Sequence, residues 1–64
     1  MTLQEAKELA QKGVKVTHKY FTDDEYMTMS GNIIIFEAGV EIWFDEWTKD
    51  KDYLNTGWSV HKTN

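Results

Sequence analysis

No cysteine occurs in this chain of 64 residues, and that absence constrains its fold more than any other feature. A chain so short buries only about 60% of the surface its unfolded form exposes. Small domains usually make up the deficit with disulfides, a structural metal or self-association. Disulfides are excluded. A structural zinc nearly is, because His18 and His61 are the only nitrogen ligands and no thiolate can complete a tetrahedral set. Self-association remains, and the rings point the same way. Tyr20, Phe21, Tyr26, Phe36, Trp43, Phe44, Trp47, Tyr53 and Trp58 are more aromatic bulk than one small core easily absorbs. The sequence therefore predicts one domain over residues 1–64 that assembles as a homo-oligomer, with some rings facing a partner subunit or a ligand.

Charge narrows the partners. The formal net charge is −4, and every basic residue is a lysine, so no planar guanidinium is present to grip a phosphate bidentately. A nucleic-acid partner is not expected. No apolar run approaches the roughly 20 residues that span a bilayer, and the first residues lack a basic-then-apolar signal pattern. No membrane association and a cytoplasmic setting follow as expectations.

The order of local patterns predicts an α+β fold, one N-terminal helix packed on an antiparallel sheet of about four to five strands. Thr2-Leu3-Gln4-Glu5 fits a capping box, and Leu3, Ala6, Leu9 and Ala10 recur at helical spacing until Gly13 can stop the helix. A helix over 3–12 with Leu9 buried is expected. Val14, Val16 and His18 then alternate with Lys15, Thr17 and Lys19, the period of a half-buried strand. After the acidic turn Thr22-Asp23-Asp24, residues 25–29 read as a second strand and Ser30-Gly31-Asn32 as a turn. Residues 33–36, apolar at every position, read as a central strand covered on both faces. Residues 40–45 read as a fourth strand with Trp43 on a face otherwise bearing carboxylates, residues 45–56 as a charged connecting loop, and residues 57–61 as a last strand. Residues 62–64 read as a free tail.

Candidate site residues fall into two groups. Lys15, His18 and Lys19 offer a small positive spot for a phosphate, or else they are a strand with solvated lysines and a half-buried, hydrogen-bonded histidine. Trp47 and Trp58 flank the loop that holds Tyr53 and Asn55. Their indole faces line a cleft for a flat ligand, or else they lid a thin core. Asp23-Asp24-Glu25 lacks a partner nucleophile or acid and reads as a solvated turn, and neither Ser30 nor Ser59 carries a nucleophile signature. The residues point to no enzyme, no cofactor and no metal.

The stretches 6–16 (AKELAQKGVKV) and His18-Lys19-Tyr20-Phe21, then Trp47 and the run from Asp52 to Val60, resemble in their order a family of small phage proteins, the second type of Thoeris anti-defence protein and its relatives. His18 stands where that family tends to have arginine, Phe21 where it tends to have tryptophan, and Gly57 where it tends to have aspartate. The resemblance implies a homo-oligomeric sponge in the host-cell cytoplasm that captures a cyclic ADP-ribose-type or cyclic nucleotide immune signal without cleaving it. Lys15, His18, Lys19, Phe21, Trp43, Trp47, Tyr53, Asn55 and Trp58 are the candidate ligand-binding residues. The alternative is a protein-interaction module or inhibitor that docks through exposed aromatics and a sheet edge.

Overall fold

A computed structural model describes residues 1–61. The expected tail, Lys62 to Asn64, lies outside the described residues. Helix α1 (Leu3–Gln11) starts at the capping box: the Glu5 amide donates to Thr2 Oγ1 at 3.2 Å and the Thr2 amide donates to Glu5 Oε1 at 3.0 Å. It ends one residue earlier than the periodicity predicts, because Lys12 is the cap and Gly13 turns left-handed at φ 88°. The Val14 amide then reaches back to the Leu9 carbonyl at 3.1 Å and the Gly13 amide to that of Ala10 at 3.0 Å, the pairing of a Schellman stop.

Five antiparallel strands follow: β1 (Val16–His18), β2 (Met27–Ser30), β3 (Ile33–Phe36), β4 (Glu41–Trp43) and β5 (Trp58–Val60), arranged in the order β4-β3-β2-β1-β5. The chain is thus an α+β fold with one N-terminal helix packed against a five-stranded antiparallel sheet. Register assigns the faces. Val16 pairs with Met27, Met29 with Ile34, Ile34 with Ile42 and His18 with Trp58, all toward α1. With Ala6, Ala10, Phe44 and Leu54 these side chains make the core.

Three expectations need correction. Leu9 is only half-buried; Ala6 and Ala10 are the helix residues with no exposure, since their methyl side chains let the helix backbone approach the sheet while Leu3 and Leu9 pack at the margin. The middle strand is β2, not the run 33–36. That run is apolar on both sides, yet only Ile34 is fully buried, because nothing among the described residues covers the face bearing Ile33 and Ile35. Finally, the expected strand to Asp45 and the long loop after it are interrupted. Phe44 opens a short helix α2 (Phe44–Thr48), and a 3-10 helix spans Asp52–Asn55.

Six of the nine rings are buried or half-buried within the single chain, and only Tyr20, Trp43 and Tyr53 are exposed. The core absorbs more aromatic bulk than composition suggests because the two short helical turns add a wall beyond the sheet. Among the described residues, no helix is long and apolar enough to cross a membrane.

Candidate functional site

His18 is the hub of the β1–β5 end. The residue is 2% exposed and both ring nitrogens are used: Nε2 lies 2.7 Å from the Thr56 carbonyl and 3.1 Å from that of Tyr53, while Nδ1 accepts from the Tyr20 amide at 3.1 Å. Carbonyls can only accept, so the proton sits on Nε2 and the ring is neutral. The contacts tie β1 to the 3-10 helix. His18 therefore takes the buried, hydrogen-bonded alternative and offers no charge to a phosphate.

The turn after β1 sorts the next rings. The Phe21 amide donates to the His18 carbonyl at 2.8 Å, so the chain doubles back. Phe21 folds inward against Trp58 (centroids 5.7 Å apart) and Trp47 (6.2 Å), whereas Tyr20 swings outward. Trp58 is 3% exposed, meets His18 edge-on at 5.0 Å and donates from Nε1 to the Leu54 carbonyl at 2.6 Å. Trp47 packs on Phe36 at 5.4 Å and on Trp58 at 6.3 Å. The expected tryptophan cleft is corrected on this point. Trp47 and Trp58 meet at 64° with Phe21 edge-on to both, and Trp58 is almost wholly buried, so the two indoles pack on each other instead of facing one another across an open cleft.

Gly57 explains how the hub closes. Its φ is 92°, and a Cβ there would come within 3.1 Å of His18 Nε2 and of the Lys19 Cγ and Cδ atoms. An aspartate at this position, as the resembled family tends to have, would not fit beside this histidine without movement.

Beside the hub runs an open groove of about 690 Å3. Its polar lining includes Thr17, Lys19, Thr22, Asp23, Ser59 and His61, and its apolar lining includes parts of Phe21 and Trp58. Two bonds fix the rim. His61 Nε2 donates to the Asp23 carbonyl at 2.8 Å, and the Glu25 carboxylate accepts from the Thr22 amide at 2.8 Å. That amide, with help from the Thr22 hydroxyl, holds the Glu25 carboxyl below its ordinary range. Thr17 Oγ1 donates to the Glu25 carbonyl at 2.9 Å, joining the turn to β1.

The rings that do face solvent here are Tyr20 and Tyr53, 67% and 53% exposed, with centroids 5.8 Å apart. Lys19 Nζ lies 5.2 Å from the Tyr20 ring centre, and Asn55 is exposed at the end of the 3-10 helix that carries Tyr53. Of the nine expected residues, the fold thus gathers Lys19, Tyr53 and Asn55 at the surface over a support of His18, Phe21, Trp47 and Trp58. Lys15 stands apart, its Nζ 4.7 Å from the centre of the Tyr26 ring. Trp43 lies on β4, at the opposite edge of the sheet, roughly 19 Å away at four strand spacings. Tyr20 is not among the nine, since strand alternation has no meaning beyond His18, where the strand ends. Thr22, Ser59 and His61 also escape sequence reasoning, because only β1–β5 pairing and the turn bring them together.

No protein-family model, curated protein or solved structure matches the chain. The likeness to the Thoeris anti-defence proteins rests on the short sequence stretches alone.

Proposed function

We propose that this chain is a phage anti-defence protein that captures a small phosphate-bearing signal of the cyclic ADP-ribose or cyclic nucleotide type and holds it without cleaving it. One observation carries the reading. The exposed Tyr20/Tyr53 pair, with Lys19 between it and the groove, sets flat rings and a cation beside a concavity whose volume lies within the roughly 300–1,000 Å3 typical of small-ligand sites. The tyrosines stack on a base, Lys19 meets a phosphate, and the hydroxyls of Thr22 and Ser59 take further polar groups. In this proposal the groove is completed by a second copy, which gives a homo-oligomeric sponge and excludes water from a site that one protomer leaves open.

Calorimetric titration of cyclic ADP-ribose, followed by mass spectrometry of what heating releases, tests the reading. Tyr53→Ala and Tyr20→Ala should each weaken binding about 5- to 150-fold, the equivalent of 1–3 kcal/mol of stacking, at unchanged melting temperature. The released nucleotide should be chemically intact. No binding by the unmodified protein, or recovery of a cleaved product, sinks the proposal.

A further inference from the structure

Pairing of Ile33 with Trp43 and of Thr28 with Ile35 sets Ile33, Ile35 and Trp43 on one face of the sheet, the face away from α1. Nothing in the described chain covers it. Trp43 is 56% exposed and Ile33 and Ile35 only half-buried, and a shallow depression lies between Ile33, Glu41 and Trp43. Apolar side chains that sit next to one another on an open sheet face and are rimmed by polar residues are a feature of interaction surfaces.

Charge says what covers it. Between Lys19 and Lys49 the chain has no basic residue, and around β4 it holds four carboxylates: Glu37, Glu41, Asp45 and Glu46. Glu41 sits on the apolar face itself, across from Ile35, and Glu37, Asp45 and Glu46 are exposed in the segments just before and after β4. A second copy laying the same face against this one would set these carboxylates against each other. Strand addition at the edge is also limited. The Phe36 amide donates to Val40 and the Phe44 amide to Asn32, so alternate backbone groups of β4 already face β3, and only Glu41 and Trp43 present theirs outward.

We propose that this face docks a cationic amphipathic protein segment, its apolar side chains on Ile33, Ile35 and Trp43 and its lysines or arginines against Glu41 and the neighbouring carboxylates. The surface lies at the β4 edge and shares no lining residue with the groove beside β1 and β5.

The probe is a synthetic amphipathic peptide of leucine and lysine, followed by NMR through the Trp43 indole N–H and the methyl groups of Ile33 and Ile35. These signals should shift and saturate. Trp43→Ser should weaken binding roughly ten-fold or more with the melting temperature unchanged. Raising salt from about 50 to about 500 mM should weaken it further, and a peptide with glutamine in place of lysine should not bind. Perturbation centred elsewhere, or equal binding by Trp43→Ser, overturns the proposal. So does concentration-dependent self-association that Trp43→Ser abolishes, since the occupant would then be a second copy.

Discussion

The two ends of the sheet treat tryptophan in opposite ways. At the β1–β5 end Trp58 is enclosed by His18, Phe21 and Trp47 and anchored through its indole N–H, whereas at the β4 end Trp43 stands 56% exposed beside Glu41. The same residue type is core at one end and surface at the other. What differs is the face: Trp58 points to the side of the sheet closed by α1 and the 3-10 helix, whereas Trp43 points to the side that nothing in the described chain covers. A ring's role in so small a fold is set by which short turns happen to cover it.

The sharpest way to break that contrast is to truncate both tryptophans. Trp58→Ala should cost about 3–5 kcal/mol. A chain of this size has only about 3–10 kcal/mol to lose, at 0.05–0.15 per residue, so the variant should be largely unfolded by circular dichroism. Trp43→Ala should change stability by less than about 0.5 kcal/mol. Equal losses would mean that the open face is covered in solution.

A smaller effect tests how the enclosed end is built. Gly57→Ala forces a side chain into a left-handed backbone and against His18 Nε2, and it should cost about 1–3 kcal/mol in thermal or urea unfolding. Lys19 can swing aside, but His18 is held by three backbone groups. The strain is therefore expected to persist in Gly57→Ala/Lys19→Ala. Full rescue by that second change would show that the histidine is free to move.

Much of this fold is legible in the sequence because its signals are local. The capping box and Gly13 bound α1 to within a residue, and period-two alternation sets His18 on the inner face with Val16. The oddness of Trp43 among carboxylates is also visible, and pairing with Ile33 explains it. Helix α2 and the 3-10 helix are not legible, since five and four residues are too few for a period; the only cues are Phe44 and Trp47 at helical spacing and the acidic first turn. The surface site is the least legible part. Tyr20 and Tyr53 meet only because the turn after β1 reverses, and Lys19 reaches the groove only because Gly57 lets its stem lie across the backbone.

The smallest expected effect concerns acid, and it sharpens the comparison by acting through a turn at the enclosed end. Glu25 and Glu5 are both held below their ordinary 4.5, each first by a threonine amide, from Thr22 and Thr2 respectively, and then by the same threonine's hydroxyl. A lowered carboxyl means that the folded chain binds fewer protons than the unfolded one as pH falls below about 4.5. The stabilisation is thus complete above that pH and is lost as pH drops through the lower folded-state values. Both groups are solvent-exposed, so the loss should be slight, smaller than that from Gly57→Ala. Melting temperatures measured from pH 6 down to about pH 3 should fall less steeply in Glu5→Gln/Glu25→Gln than in the unmodified chain. Parallel curves would mean that the amide contacts of these two carboxylates are not kept in solution, and that the groove rim at Thr22 is looser than the turn geometry describes.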